Sequence, residues 1–171
     1  MGLNVFTVLL KFMRYLTKEE SKGVEKYILP VLVEEAKKST CKKSQRAATI
    51  VKNGEILGKG HNKVTIEKYC DPCIREGIKD NSRVELCSAT HAEQEAILDA
   101  LKKGKNIEGS RMYHIKLKNG EVKPSEDVSC TVCSRLVLGS NISEFVLLHK
   151  KGFALYSAEE FNEKSFEYFL K

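Results

Sequence analysis

Apolar and polar positions along this 171-residue chain alternate in short blocks, typical of a domain that contains both strands and helices. The clearest strands are two apolar runs, at 47–51 and 55–60, which flank Asn53-Gly54. Asn-Gly between two such runs is the strongest short hairpin signal, so these strands should be antiparallel neighbours. Residues 111–117 alternate as a further strand.

The end of the chain has a similar pattern. Two apolar runs, at 144–149 and 153–156, are separated by Lys150-Lys151-Gly152. This link is too short for a parallel crossover, so the two strands should pair in antiparallel fashion. Ser157-Ala158-Glu159-Glu160 then matches a capping box, which predicts a final amphipathic helix.

Three other helices are predicted from capping signals and from apolar residues at helical spacing. The first opens at Thr17-Lys18-Glu19-Glu20, is interrupted at Pro30 and resumes toward Ser39. The second runs from His91 to about Lys103, and the third from Thr131 to Leu138. Helices that alternate with strands place the chain in the α/β class.

The composition fits one domain with a hydrophobic core, because 42% of the residues are hydrophobic and the length is too short to expect two domains. We predict a single domain over 1–171, with its core at about 25–170 and an N-terminal extension at 1–16. The net charge is +6, from 29 basic and 23 acidic residues, and we expect these side chains to lie on a solvated surface. A basic balance would also suit a phosphate-bearing substrate.

The apolar run at 3–10 is far shorter than the roughly 20 residues of a membrane span, so no membrane association is predicted. It is interpreted as a docked strand or a start-site extension. The six cysteines include Cys70-x-x-Cys73 and Cys130-x-x-Cys133, spacings that are more typical of metal clips than of disulfides. This usage favours a reducing, cytoplasmic location.

Candidate chemistry lies in two motifs, His91-Ala92-Glu93 and Cys130-Thr131-Val132-Cys133, each at the start of a predicted helix. One imidazole and two thiolates are the protein ligands of an open zinc site, whose fourth position holds water. Zinc lowers the pKa of that water to about 7, and a carboxylate two residues after the His can move its proton.

A histidine or a Cys-x-x-Cys on its own is more often a core residue or a structural knuckle. Both motifs together, in this order, instead predict a catalytic zinc. The reaction that such a site supports is hydrolytic deamination of a nucleobase, with Glu93 outside the coordination sphere.

With these motifs in place, the chain from about Ser39 to Tyr156 resembles the cytidine and deoxycytidylate deaminase superfamily. Four segments in a fixed order carry the resemblance: Ser39-Thr40-Cys41, Gly60-His61-Asn62, Leu86 to Gln94, and Cys130-x-x-Cys133-Ser134. The resemblance implies a three-layer α/β/α fold, with a mixed five-stranded central sheet and helices on both faces. It also implies a dimer or a larger homo-oligomer.

The resemblance assigns roles to individual residues. It implies that His91, Cys130 and Cys133 are the zinc ligands and that Glu93 is the proton shuttle. It also implies that Asn62 and Ala92 contact the substrate. The amide of Asn62 would contact the sugar or base, and Ala92 would offer its backbone to the base. His61 adjoins Asn62 and is expected to line the pocket.

The four segments are most similar to the deoxycytidylate branch, but three features depart from the family pattern. Ser129 stands where the family usually has Pro, before the first Cys of its second motif. Lys63 to Tyr69 replaces the Gly-and-Pro loop that serves the allosteric nucleotide there, so the sequence gives no indication of triphosphate regulation. The short Lys150-Lys151-Gly152 link is more like the last strand pair of free-nucleoside deaminases. Cytidine, deoxycytidylate and a modified base therefore all stay open as substrates.

Residues 63–90 are predicted to form an insertion, and it carries most of the remaining thiols. Cys41, Cys70, Cys73 and Cys87 are four in number, as a closed structural zinc site requires. We hypothesise a second, structural zinc that pins the insertion to the core. The alternative is ordinary buried or free thiols, because only the Cys70/Cys73 pair has diagnostic spacing. His114 and His149 are expected to be surface or core-edge residues.

Three functional classes compete. The first is a zinc hydrolase that deaminates a cytosine nucleoside or nucleotide, the second an enzyme that edits RNA or single-stranded DNA, and the third a zinc-stabilised interaction module without activity. Glu93 argues against the third. The sequence lacks a compact basic and aromatic stripe, which argues against the second. The dense basic cluster of Lys42, Lys43 and Arg46 could equally hold a monophosphate.

Overall fold

The computed structural model describes residues 13–78, 82–126, 128 and 130–170, and the apolar run at 3–10 lies outside these residues. The strands in this part of the chain are β1 (Arg14–Tyr15), β2 (Gln45–Lys52), β3 (Glu55–His61), β4 (Lys63–Val64), β5 (Ala89–Thr90), β6 (Arg111–Lys118), β7 (Glu121–Lys123), β8 (Glu144–His149) and β9 (Gly152–Ser157). The helices are α1 (Lys18–Gly23), α2 (Leu29–Lys37), α3 (Ala92–Lys102), α4 (Thr131–Gly139) and α5 (Ala158–Leu170).

The main sheet has the order β1-β9-β8-β6-β2-β3, with β7 paired to the end of β6. Strands β6 and β8 are parallel and the other neighbours are antiparallel, so the sheet is mixed as predicted. Five strands were expected in it. The two short strands β1 and β7 enlarge it to seven, β1 outside β9 and β7 folded back at Asn119-Gly120. Both predicted hairpins, β2–β3 and β8–β9, are confirmed.

The first helical segment begins where the capping box predicted. The side chain of Thr17 accepts a hydrogen bond from the backbone N–H of Glu20, and the side chain of Glu20 accepts one from that of Thr17. The predicted interruption near Pro30 is a π-helical turn, Val24–Ile28, that joins α1 to α2. Proline cannot donate a backbone hydrogen bond and crowds the preceding turn, which explains a widened helix at this point. None of the described helices is long and apolar enough to cross a membrane.

Helices cover both faces of the sheet, which gives the expected three layers. On one face, Leu32 and Ala36 of α2 pack with Ile115 of β6 in one hydrophobic cluster. On the other face, α3, α4 and α5 bury a second cluster in which Phe161 of α5 stacks on Phe145 of β8, with ring centroids 3.9 Å apart. Burial of such apolar surfaces on both faces fixes the sheet between the helices.

Two glycines set the distance between β3 and α3. A Cβ added to Gly58 or Gly60 would lie closer than 3.0 Å to backbone atoms of Ala96 in α3. Both glycines lie two residues apart and therefore face the same side of the strand. This close contact holds α3, and with it the helix N-terminus that carries His91, against the sheet.

The insertion predicted at 63–90 is closed at its base. Strands β4 and β5, at its two ends, pair with the register Lys63 to Thr90 and Val64 to Ala89. Just inside this ladder, the backbone N–H of Thr65 donates to the carbonyl of Ser88, at 2.9 Å. The insertion therefore returns the chain directly to the start of α3.

Candidate functional site

The first part of the candidate site lies at the N-terminus of α3. His91 is the N-cap of this helix, and its backbone N–H donates to Oε1 of Gln94, at 2.8 Å. This contact caps the first turn of α3, and His91 has extended backbone geometry just before that turn.

The second part lies at the N-terminus of α4, where Cys130 is the N-cap. Its Sγ accepts a hydrogen bond from the backbone N–H of Cys133, at 3.4 Å. Both thiols are buried. The positive end of the helix dipole favours a thiolate at this position.

The two helix ends meet. Nδ1 of His91 lies 3.2 Å from Sγ of Cys133 and 3.4 Å from Sγ of Cys130. Zinc bonds of roughly 2.0 Å to nitrogen and 2.3 Å to sulfur at a tetrahedral angle would separate these atoms by about 3.5 Å. The ligand atoms of His91, Cys130 and Cys133 all lie within 4.8 Å of one another, and no other three His, Cys, Asp or Glu side chains among the described residues do so. The donor set and its spacing fit a tetrahedral zinc with one position open.

The protonation states of the metal-binding side chains suit a bound cation. The pKa of the Cys130 thiol is lowered to about 5, because hydrogen bonds from Cys133 and His91 outweigh its burial. Burial opposes the charged form of His91, but hydrogen bonds to the Cys130 and Cys87 thiols outweigh it and raise the pKa to about 10. One thiolate beside a proton on Nδ1 is the pattern that a divalent ion would replace.

Glu93, the predicted proton shuttle, is the second residue of α3 and is buried. It lines the same cavity as His91, Ala92 and Cys130. Its carboxylate thus shares a water-poor space with two of the three metal-binding side chains, as a group that transfers protons there requires.

Asn62 also lines this cavity, and its amide is largely engaged with the wall. Its Oδ1 accepts from the hydroxyl of Ser39, at 2.6 Å, and from the backbone N–H of Arg46, at 2.8 Å. Its Nδ2 donates to the carbonyl of Ser44, at 2.7 Å. In this structure Asn62 fixes the wall formed by 39–46.

His61 does not line the cavity, contrary to the sequence-based expectation. It lies opposite Ala47, which belongs to the cluster on the α2 face, and its Nδ1 is 2.7 Å from Oε1 of buried Glu35 in α2. Neighbouring residues of a strand point to opposite faces. Because Gly60 faces α3, His61 must face α2.

The four other cysteines also line the cavity: Cys41, Cys70, Cys73 and Cys87. The structure does not bring their sulfur atoms into one group within 4.8 Å, although all four lie in the described part of the chain. Cys70 is buried and its Sγ lies 3.0 Å from the hydroxyl of Ser88. The second zinc therefore stays a prediction for metal analysis.

Two residues with unusual environments were missed or underrated from sequence. Arg75, in the insertion, lines the cavity and is 8% exposed. His114 was expected at the surface or core edge, but it is fully buried in β6, since its place in the strand alternation points it beneath α3. Sequence gives a weak signal for either residue, because burial of a charged or polar side chain depends on distant segments.

Residues 22–149 match the profile of the cytidine and deoxycytidylate deaminase zinc-binding region. The protein is thus an enzyme of the zinc-binding deaminase class. It belongs to the cytidine and deoxycytidylate deaminase family. A comparison with curated proteins gave no match.

Among solved structures, the chain is similar to the dCMP deaminase of cyanophage S-TIM5, with 20% identity over 76% of this chain and 82% of that chain and a TM-score of 0.49. It is also similar to a mutant cytidine deaminase from Mycobacterium tuberculosis, with 14% identity over 76% of this chain and 90% of that chain and a TM-score of 0.45.

Proposed function

We propose that this protein deaminates a cytosine nucleoside or nucleotide by zinc-dependent hydrolysis, which gives the uracil form and ammonia. One observation carries the proposal: His91, Cys130 and Cys133 form one metal-binding group, and His91 and Cys130 line the same cavity as buried Glu93. In a chain of this family, that arrangement joins a metal-binding group to a proton-transfer group.

His91, Cys130 and Cys133 would hold the zinc, which, when bound, supplies Lewis-acid activation of water near neutral pH. Glu93 would take the proton released as water attacks C4 of the base. It would pass this proton to the ring nitrogen, then take the remaining proton from the hydroxyl added at C4 and deliver it to the amine, which leaves as ammonia when its bond to C4 breaks. One carboxylate thus serves each proton transfer in turn. Burial of Glu93 favours this role, because a carboxylate in a water-poor site exchanges protons with the substrate rather than with solvent.

The cavity wall would orient the substrate. Ala92, the first residue of α3, would present its backbone to the base from beside His91. Asn62, held by Ser39 and Ser44, would be a fixed amide next to the sugar. Its network makes the wall rigid, and rigid contacts place the reacting atoms more accurately than mobile ones.

Ammonia release from a panel of substrates tests the proposal. The panel should contain cytidine, deoxycytidine, CMP, dCMP, adenosine and a short oligodeoxycytidylate, each with purified protein whose zinc content is known. Turnover of at least one monomeric cytosine substrate, abolished by Glu93→Gln, supports the proposal. Turnover of the oligonucleotide alone would favour the editing class instead.

Assembly into a homo-oligomer stays a prediction from the family resemblance. Light scattering of the purified protein tests it directly, and it can be run on the same sample as the activity panel.

A further inference from the structure

The cavity is also lined by three cationic side chains that the deamination chemistry does not use. Lys43 and Arg46 line it from the start of β2, and Arg75 lines it from the insertion. Among the described lining residues, the carboxylate is Glu93, at the metal-binding end. Two of the three cations are guanidinium groups, those of Arg46 and Arg75.

Arg75 is the most unusual of these cations. Its side chain is 8% exposed, its Nη2 donates to the carbonyl of Ser82 at 2.6 Å, and its buried Nε has no hydrogen-bond partner among the described residues. An unpaired buried donor is costly, and a buried guanidinium more so. A guanidinium that is held in place on a cavity wall with a donor to spare is suited to an oxyanion.

Contacts between the insertion and β2 keep the cations on one wall. Nζ of Lys43 donates to the carbonyl of Ile78, at 3.0 Å, and so spans the gap between the two segments. Nε of Arg46 has a long contact of 3.4 Å to the hydroxyl of Ser44. The side chain of Arg75 also hydrogen-bonds to the Cys87 thiol, which in turn contacts His91. The three cations therefore lie on the same cavity as His91, Glu93 and Cys130.

We propose that Arg75, together with Arg46 and Lys43, forms an oxyanion subsite for the 5′-phosphate of a nucleoside monophosphate. The insertion that carries Arg75 is then a specificity element, which favours nucleotide over free nucleoside. This inference rests on the proposed function for the identity of the base and sugar, but the phosphate contact itself needs no turnover. Planar guanidinium groups bind phosphate oxygens in pairs, which a lysine cannot do.

A phosphodiester of a polynucleotide offers the same chemistry, but the cavity fits it less well. Polynucleotide sites combine a basic groove with aromatic side chains on which bases stack. The described cavity lining contains no Phe, Tyr or Trp, and Arg75 is enclosed rather than set along an open groove. An enclosed cation suits a terminal phosphate.

The test compares product binding, because products bind without being turned over. Calorimetry should measure the Kd of dUMP and of deoxyuridine for the full-length zinc-loaded protein, for Arg75→Gln and for Arg83→Gln. Arg83 is a matched control, since it lies in the same insertion but is exposed, pairs with Glu85 and does not line the cavity. Arg46→Gln serves as a second variant, because its side chain is less buried and its loss is less able to disturb folding.

Wild-type protein and Arg83→Gln should bind dUMP more tightly than deoxyuridine. Arg75→Gln should weaken dUMP binding by about 10- to 100-fold, the effect expected for loss of charge-assisted hydrogen bonds, and leave deoxyuridine binding within about threefold. Arg46→Gln should act in the same direction.

An equal loss of affinity for dUMP and deoxyuridine in both variants would overturn the subsite. Unchanged dUMP binding in a folded Arg75→Gln would also overturn it. If Arg75→Gln does not fold, unchanged dUMP binding in Arg46→Gln decides in the same way. Arg75-dependent binding of an oligodeoxyuridylate more tightly than dUMP would overturn the monophosphate. A protein that fails to deaminate any substrate but shows the Arg75-dependent preference for dUMP would refute the proposed reaction while this subsite stands.

Discussion

The imidazole of His91 and the thiol of Cys133 lie 3.2 Å apart, Nδ1 to Sγ, although 42 positions separate them in the chain. Each is held at the N-terminal end of its own helix, His91 as the cap of α3 and Cys133 in the first turn of α4. The metal-binding group is thus a junction between two helix ends, and its geometry depends on how α3 and α4 are fixed against the sheet.

Glu93→Gln should abolish most turnover while zinc and fold are retained. The amide cannot accept and return the proton of water, and general acid–base groups typically contribute about 10²- to 10⁴-fold. Steady-state rates, zinc content and circular dichroism check this. Glu163→Gln, the same substitution at an exposed position of α5, is the control. Activity of Glu93→Gln within about tenfold of wild type would exclude Glu93 as the shuttle.

Metal content separates one zinc site from two. We expect Cys133→Ser to lose one zinc per chain together with activity, because it removes a ligand from a three-residue group. One zinc per chain in wild-type protein would exclude the structural site predicted from the sequence, whose four thiols do not share a ligand sphere here. Two zinc ions per chain, one of them lost in Cys73→Ser, would instead establish the structural site. Inductively coupled plasma mass spectrometry of purified protein gives both numbers.

Gly60→Ala should destabilise the protein and lower its activity. The new methyl group would meet the backbone of Ala96, so α3 must shift, at a cost of about 1–3 kcal/mol. A shift of α3 also moves Glu93 relative to Cys130. Denaturant unfolding and activity at saturating zinc measure both effects. Gly23→Ala, in α1, is the control, because an added Cβ there meets nothing within 4 Å and should be neutral or stabilising. Equal unfolding midpoints for the two variants would contradict the close packing of β3 on α3.

His114 should make the protein acid-sensitive. Burial lowers the pKa of its imidazole from 6.5 to about 4, with Glu93 opposing this and Arg46 and His91 adding to it. The unfolded chain therefore takes up a proton first as pH falls below 6.5, so the stability present above that pH is lost progressively down to about pH 4. The loss amounts to about 3 kcal/mol, from 1.36 kcal/mol per pKa unit.

His114→Leu should remove this dependence, because leucine does not titrate and both ring nitrogens lack hydrogen-bond partners among the described residues. Free energies of unfolding at pH 7 and pH 4.5, compared between variant and wild type, isolate the effect since all other groups titrate in both. If the difference between the two proteins is the same at both pH values, His114 is not the sensor.

Local patterns in the sequence determined much of the fold. The hairpin at Asn53-Gly54, the antiparallel last pair of strands and the capping box at Thr17 were all predicted, because each depends on residues close together in the chain. The edge strands β1 and β7 were not, since two or three residues carry too little pattern to predict pairing.

The sequence by itself also determined the members of the metal-binding group, since His91, Cys130 and Cys133 belong to motifs of recognisable spacing at helix starts. Only the tertiary structure decided that His61 faces α2 rather than the cavity, and that Arg75 is buried on the cavity wall. Motifs are local and can be read along the chain, whereas strand facing and burial depend on which distant segments pack together. For that reason the residues that would act on the nucleobase could be predicted from sequence, and the place of Arg75 in the proposed phosphate subsite could not.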